Sequence, residues 1–342
     1  MTPIAANRRL GRHHGFGISI ALVLAGCATV PADSVRDLDQ FVRDQYGARA
    51  SWQQDAPMRE AARAAAARAL ERSLDGDGAV VLALGLSPSF QALLSDAAAQ
   101  TARSTQSARP ANPIFTFERL TRREDGVVDL DIGRMLSVSI IDLLYLPARL
   151  RAAESAQMQI RLRGAAAAVE AATSARQAWV RAVAAQQALT YHAQVMEAAE
   201  AGAELARRMQ QAGNFSRLQQ ARQQAFYADA AAQLARARQA AVAAREALVR
   251  SIGLDAALAE KLVLPARLPD LPAKPFAPED LLKRAFSERL DVRIAAAEIE
   301  TLGRRAGFAN TTSVLNSLHL AAVSNSATGQ PRQRGVEVEL AL

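Results

Sequence analysis

The chain has 342 residues, a formal net charge of +7 at pH 7 and a hydrophobic fraction of 50%, yet only 5% of its residues are aromatic. A single cysteine excludes an intramolecular disulfide framework and a cysteine-rich metal site. The basic residues are interleaved with Glu and Gln and form no long block, which argues against a nucleic-acid partner.

Residues 1–26 are predicted to be a secretory signal peptide. Their basic segment contains Arg8, Arg9 and Arg12. The apolar run that follows, residues 15–26, is too short for a permanent membrane helix. At its end the segment Leu24, Ala25, Gly26 and Cys27 resembles the bacterial lipobox, in which a peptidase cuts before a cysteine that carries a lipid. This resemblance predicts a lipid on the Cys27 thiol, and Ala28 after it favours delivery to the outer membrane. A conventional signal peptide with an incidental cysteine is the alternative.

The next segments are predicted to be helical. Residues 27–73 read as a short polar tether followed by an Ala/Arg-rich helix, and a second helix is expected from Ala79 to Ser104 after a break at residues 75–78.

A β-hairpin is predicted over residues 112–142, where the apolar period drops to two. Phe115 and Phe117 share one face, and the polar segment 121–126 supplies the turn. The returning strand alternates and is interrupted only by Arg134, so the hairpin is predicted to be apolar on one side and polar on the other for its whole length. Its polar positions are Asp129, Asp131, Gly133, Ser137 and Ser139.

Two structures fit this hairpin. In a soluble sandwich the apolar face would cover a core, whereas in a membrane barrel it would face lipid, and strands of about ten residues suit a tilted span. The alternation alone does not choose between them. The predicted outer-membrane location favours the barrel.

A long helical hairpin is predicted over residues 148–252. Pro147 is expected to end the strand region. A helix over 148–212 would reach roughly 100 Å, which no globular core of this size could bury, so a second rod from Ser216 to about Ile252 must pack along it. Gly213-Asn214 can adopt the left-handed conformation that closes the first helix, and Ser216 can cap the second. Small and apolar residues recur along both rods at heptad-like spacing: Leu162, Ala165, Val169, Ala172, Arg176, Trp179 and Val183, then Leu234, Ala237, Ala241, Ala244 and Leu248.

The remaining chain repeats the order of the first unit. A proline-rich linker over 255–277 is expected to run extended across a surface. Residues 278–342 then predict a helix and two strands, with Glu337 and Glu339 on the polar face of the last strand. Residues 74–254 and 278–342 are therefore interpreted as a complete and an incomplete copy of one repeat.

Four segments in this order resemble the outer membrane efflux proteins, the TolC-like outer membrane factors. They are "NPIFTFERL", "GRMLSVSIIDLLYLPARLRAAE", "AGNFSRLQQARQQAFY" and the restart at Pro278. The resemblance implies a mainly α fold in which a periplasmic helical tunnel is rooted in the β-hairpins of a trimeric outer-membrane barrel. It also implies a channel in a tripartite efflux or type I secretion system, with a periplasmic adaptor and an inner-membrane pump as partners.

The resemblance also implies roles for particular residues. Cys27 would be the lipid anchor. The periplasmic tip that contacts the adaptor would consist of Gly213, Asn214, Phe215 and Ser216. The residues facing the pore would be Asp129, Asp131, Ser137 and Ser139, and Glu337 and Glu339 also fit a pore lining. The chain reaches Leu342 before the second helical hairpin of that family, so it resembles a C-terminally truncated member, which is a fragment, a naturally shortened product or a chain with a different assembly, and it is expected to conduct poorly or not at all.

Two other classes of function were weighed. An enzyme is not expected, because His192 and His319 lack ligand or catalytic spacing and no phosphate loop, nucleophile elbow or metal motif occurs, so no cofactor is predicted. A lipid-anchored adaptor or structural coiled-coil lipoprotein is the alternative function, since adaptors also combine an anchor with a helical hairpin. The transported substrate is left open.

Overall fold

A computed structural model describes residues 33–271, 278–312 and 317–341. The predicted signal peptide, its cleavage segment Leu24 to Gly26, Cys27 and Leu342 lie outside these residues. Within them the chain forms nine helices and four strands: α1 Asp33–Tyr46, α2 Ala56–Ala69, α3 Gly76–Leu86, α4 Pro88–Ser107, β1 Ile114–Glu124, β2 Val127–Ser139, α5 Ile140–Gln211, α6 Arg217–Ile252, α7 Ala256–Glu260, α8 Pro278–Glu288, α9 Leu290–Thr312, β3 Ser317–Ala327 and β4 Gln333–Ala341.

The longest element, α5, has 72 residues and is therefore about 108 Å long. It begins directly after β2, where the Ser139 hydroxyl accepts a hydrogen bond from the Asp142 amide at 3.3 Å. Pro147 lies inside this helix, so the prediction that it ends the strand region was wrong. Proline removes one amide donor but has a φ that a helix tolerates. The Arg149 guanidinium donates to the backbone oxygen of Asp142 at 2.7 Å and to its carboxylate at 2.9 Å, which stabilises the turns around the proline.

The second rod, α6, returns along α5 as predicted. Most of the positions predicted to form the contact between the rods are buried: Leu162, Ala165, Ala172, Trp179, Val183, Leu234, Ala237, Ala241 and Leu248. Trp179 and Val183 share one cluster with Leu248 of α6, whereas Ala172 is buried against the N-terminal helices instead. Arg176 is exposed, and Val169 and Ala244 are only half-buried. Because alanine is common at these positions, the helix axes can approach closely.

The hydrophobic core surrounds the middle of α5. One cluster joins Trp179 to Leu74, Leu248 and Ile252, and the Trp179 indole donates to the Leu74 carbonyl at 2.7 Å. A second cluster packs residues from three N-terminal helices against Ala168 and Ala172 of α5; these residues are Leu38, Val42, Val80, Leu84, Phe90 and Leu94. The N-terminal helices therefore pack around one level of the rod.

Several predicted boundaries in the N-terminal part were wrong. Part of the expected tether is the helix α1, whose Leu38 and Val42 are buried. The expected break at residues 75–78 is a helix start, because the Asp75 carboxylate accepts from the Gly78 amide at 2.7 Å. The helix expected beyond it is two helices, α3 and α4, bent by 48° at Pro88.

None of the helices in the described ranges is by itself long and apolar enough to span a membrane. Only α3 and α4 together, as a bent pair, meet that criterion.

The first half of the predicted linker packs into the core. Leu254, Leu258 and Leu262 are buried, α7 is capped by the Asp255 carboxylate, and the Leu74 amide donates to the Val263 carbonyl at 2.9 Å. Residues 272–277 lie outside the described ranges. The helix expected after the linker is again two helices, α8 and α9, which meet at Arg289.

The four strands form one antiparallel sheet in the order β1, β2, β3, β4. The first turn contains only Asp125 and Gly126, both at positive φ, as two-residue hairpin turns require, so it is shorter than the predicted segment 121–126. The strands of both repeats thus meet at the end of the molecule where α5 begins. Helix α9 packs on α5 there, and the Gln159 side chain donates to the Ala297 carbonyl at 3.0 Å.

Candidate functional site

The register of the sheet places all six predicted pore-facing residues on one face. Directly opposed residues in neighbouring strands project from the same side of a sheet. Ser139 is opposite His319, which is opposite Glu339, and Ser137 is linked through Ala321 to Glu337. Asp129 and Asp131 follow on the same side of β2. Their contact with a pore stays a prediction.

This polar face is rich in carboxylates. It carries Glu118, Asp129, Asp131, Glu337 and Glu339, with Arg122 opposite Asp129. The alternation is less strict than expected, since Ile114, Leu120 and Met135 lie on this side as well. The face is acidic overall.

The opposite face exposes large apolar side chains. Eight of them are between 40% and 72% exposed: Phe115, Phe117, Val128, Leu136, Leu320, Val336, Val338 and Leu340. A soluble sandwich would bury this surface against a second layer, and the described elements supply none. In the described part of the chain this face is thus uncovered, as the barrel interpretation expects.

The apolar face also carries arginines near the hairpin turns. Sequence reasoning identified Arg134 as the only interruption of the returning strand, which agrees with the register, but Arg119 and Arg123 of β1 and Arg334 of β4 project from the same face. Arg332, just before β4, also lies there, because its Nε donates to the Ser324 hydroxyl at 3.1 Å. Arg134 stacks over the Phe117 ring at 5.9 Å. The prediction that one face is apolar for its whole length was thus wrong near the turns.

The predicted tip residues meet at the end of α5 remote from the sheet. Gly213 has φ +81°, and its amide donates to the Gln210 carbonyl at 3.0 Å, while the Asn214 amide donates to the Met209 carbonyl at 2.9 Å. This pair of bonds is the Schellman motif. Only Gly213 is left-handed, so the inclusion of Asn214 in that prediction was wrong.

Ser216 begins α6 with a capping box. Its amide donates to the Gln219 side chain at 2.8 Å, and its hydroxyl accepts from the Gln219 amide at 3.2 Å. Gly213, Asn214 and Ser216 are exposed, and Phe215 is half-buried. Local hydrogen bonds thus complete the bend and leave its outer surface free for contact.

The surface beside the bend is basic. Residues 204–222 contain four arginines and one carboxylate, Glu204. The Arg207 guanidinium donates to both oxygens of this carboxylate at 2.8 Å, and Arg208 Nε donates to one of them at 2.8 Å. These hydrogen bonds, first from Arg207 and then from Arg208, lower the pKa of Glu204 to about 2. Sequence reasoning missed this feature, which the Arg207-Arg208 pair could have indicated.

Within the described ranges no three residues among His, Cys, Asp and Glu lie close enough together to hold a metal ion. His192 contacts Tyr191 edge to face at 5.4 Å, whereas His319 lies on the polar face of the sheet.

No family model and no curated protein matches the chain. Solved structures do. A membrane protein from Pseudomonas aeruginosa has a TM-score of 0.63 and 18% identity, over 87% of this chain and 71% of its own. CusC, whose structures concern transmembrane channel formation, has a TM-score of 0.61 and 12% identity, over 78% of this chain and 65% of its own. The Campylobacter jejuni outer membrane channel CmeC has a TM-score of 0.57 and 18% identity, over 83% of this chain and 61% of its own.

The chain thus has the fold of the TolC-like outer membrane channels, a helical rod rooted in antiparallel strands, as the sequence resemblance implied. It spans less than two thirds of the length of CusC and CmeC.

Proposed function

We propose that this protein is the outer membrane channel component of a tripartite efflux or type I secretion system. The observation that carries the proposal is a sheet with one exposed apolar face and one acidic face at the end of a rod about 108 Å long. The apolar face contacts acyl chains, and the acidic face lines water. The rod extends into the periplasm.

Closure of the barrel requires further copies of the chain. Strands β1 and β4 are the edges of the sheet, and an unpaired edge in lipid leaves backbone groups without partners. Because the four strands alternate in direction, β4 of one copy can pair antiparallel with β1 of the next. Three copies, the trimer that the resemblance implies, would give a barrel of twelve strands.

The bend at residues 213–216 is the proposed contact for a periplasmic adaptor, which links the channel to an inner-membrane pump. It is the most remote point from the sheet, its backbone is held by its own hydrogen bonds, and its surface is exposed. Lipid on Cys27 would tie the N-terminus to the same membrane.

A matched pair of variants in β4 tests membrane insertion. Val338→Arg places a charge on the apolar face, whereas Glu337→Arg places the same charge one residue away on the acidic face. An arginine facing lipid costs about 2–4 kcal/mol at the bilayer midplane. We therefore expect Val338→Arg to reduce the carbonate-resistant fraction of the protein in membranes, and Glu337→Arg to leave it unchanged.

Planar-bilayer recording of the purified full chain tests conduction. Discrete conductance steps of small amplitude from a trimeric preparation are the expected result, in keeping with the expectation that the chain conducts poorly. If Cys27→Ala releases the protein from membranes completely and no conductance is seen, the chain is a lipid-anchored adaptor or structural lipoprotein instead.

A further inference from the structure

The arginines on the apolar face form a compact patch, here called the arginine patch, that consists of Arg119, Arg134, Arg332 and Arg334. Arg134 and Arg334 lie in one cross-strand row on either side of Ser324, so their Cα atoms are about 10 Å apart. Arg119 lies on the same face one pleat nearer the turn. Arg332 Nε reaches the Ser324 hydroxyl from the adjoining loop.

No carboxylate of the described strands compensates this charge on its own side. All described acidic strand residues project from the opposite face, and none of the four arginines has an ion pair with a described carboxylate. Four arginines thus project from one face near Ser324, with Arg332 bonded to the Ser324 hydroxyl and the Arg134 guanidinium over the Phe117 ring. Guanidinium groups in this arrangement match a phosphate, which accepts several charge-assisted hydrogen bonds.

The surroundings of the patch determine which phosphate. It borders the cross-strand row that contains Phe115, Leu136 and Val336. These three side chains are 63%, 49% and 72% exposed. A free anion gains nothing from such neighbours. A lipid gains from both, because its phosphate meets the arginines while its acyl chains lie along the apolar rows.

We infer that the arginine patch is a binding site for the phosphate of an anionic membrane lipid. This inference rests on the proposed function in one respect, that the apolar face contacts lipid. It adds a specific headgroup contact, and it places the row of Arg134 and Arg334 at the polar boundary of the membrane, where arginine on a lipid-facing strand costs little.

The test compares lipids retained by the purified full chain. Native mass spectrometry measures the ratio of bound phosphatidylglycerol to bound phosphatidylcholine after incubation with an equal mixture of the two. We expect the wild type to prefer phosphatidylglycerol. The variant Arg134→Gln/Arg332→Gln/Arg334→Gln should lose this preference by roughly fivefold for each arginine, the usual effect of one basic side chain at an anionic membrane surface.

The matched control is Arg122→Gln/Arg217→Gln/Arg222→Gln, which removes the same charge away from the patch and should keep the preference. A second variant, Arg134→Lys/Arg334→Lys, retains the charge and should keep most of the preference for phosphatidylglycerol. This variant separates loss of the site from loss of folding. An equal loss in the control overturns the inference. So does displacement of bound phosphatidylglycerol by excess inorganic phosphate, because that result indicates a site for a free anion.

The outcome is distinguishable from failure of the proposed function. If the chain inserts and conducts but shows no preference between the two lipids, only the lipid site is wrong. If Val338→Arg and Glu337→Arg behave alike in membranes, the contact between the apolar face and lipid is wrong.

Discussion

At the scale of single residues, Trp179 joins the rod to the N-terminal helices through one buried hydrogen bond. Its indole N–H donates to the Leu74 carbonyl at 2.7 Å. A Cβ atom added to Gly76 would lie 3.3 Å from its ring. The second tryptophan, Trp52, makes a comparable bond to the Ser95 hydroxyl at 3.0 Å, but at the exposed surface. The two residues therefore separate the effect of burial from that of the hydrogen bond.

We expect Trp179→Phe to lower the free energy of unfolding by about 1–3 kcal/mol, because the buried Leu74 carbonyl loses its donor. Trp52→Phe should cost clearly less, since water can replace the indole. Urea unfolding followed by circular dichroism measures both. Equal losses in the free energy of unfolding would show that the buried hydrogen bond contributes no more stability than the exposed one.

Glu204 allows a prediction about pH. Its pKa is lowered from the ordinary 4.5 to about 2 by its two arginines, so the interaction is fully present above pH 4.5 and is lost as the pH falls through 2. Carbon-13 NMR of labelled glutamate side chains should show this titration. Arg207→Gln/Arg208→Gln should return the pKa towards 4.5, and a variant pKa that stays near 2 would contradict the assignment. Because the pair is exposed, high salt should weaken the shift.

At the scale of elements, two helices end at glycines in different surroundings. Gly213 has φ +81° and open space at its Cβ position. Gly253 has φ +84°, and a Cβ there would lie 2.7 Å from Pro88 Cδ and 2.8 Å from the Leu86 carbonyl. The first needs glycine for its backbone alone, and the second needs it for packing as well.

We expect Gly213→Ala to destabilise the hairpin by about 1 kcal/mol, the usual cost of a left-handed residue with a Cβ. Gly253→Ala should cost about 1–3 kcal/mol more than Gly213→Ala, because the α3–α4 bend must move. Gly202→Ala is the control: it lies inside α5, where alanine gains about 0.5–1 kcal/mol. Thermal melting by circular dichroism ranks the three, and a Gly213→Ala variant as stable as Gly202→Ala would contradict the left-handed assignment.

The sequence predicted those elements whose signals are local. The period of two in the first hairpin and the Gly-Asn-x-Ser bend were read correctly, because alternation and end capping depend on a few neighbouring residues. Prolines were less informative. Pro88 begins a new helix after a bend, whereas Pro147 lies inside a helix in which the Arg149 guanidinium donates to the Asp142 carbonyl. Helix α1 was missed although Leu38, Phe41 and Val42 have helical spacing, because its composition is polar.

The candidate site was predicted only in part. The pairing of β2 with β3 joins residues nearly 200 positions apart, as in the bond from the Leu130 amide to the Thr328 hydroxyl at 2.9 Å, and no local pattern contains that information. Without this pairing Arg334 could not be placed beside Arg134. Arg123 was assigned to the turn, since the two-residue turn at Asp125-Gly126 was expected to be longer.

At the scale of the whole molecule, the two faces of the sheet carry charges of opposite sign. The carboxylates lie on the face proposed to line water, and all but one of the described arginines in the strands lie on the other. A ring of carboxylates attracts cations and repels anions in a pore. The proposed channel should therefore select cations.

We expect a reversal potential of cation-selective sign under a KCl gradient across a bilayer that contains the proposed trimer. Asp129→Asn/Asp131→Asn/Glu337→Gln/Glu339→Gln should move it towards zero, and Arg119→Gln on the other face should not. The preference should fall from 0.1 M towards 1 M salt, because the screening length falls from about 10 Å to about 3 Å. A reversal potential unaffected by the four neutralised carboxylates would show that this face does not line the conducting path.

The capped ends of α5 give the protein a constant reach. Ser139 fixes where the helix begins and the Schellman bonds at Gly213 fix where it stops, so the separation between the sheet and the bend depends on the number of residues between them. Each added or removed turn changes that separation by about 5.4 Å. In the proposed orientation, a protein that engages the bend would accordingly need to present its own binding surface at one set level of the periplasm.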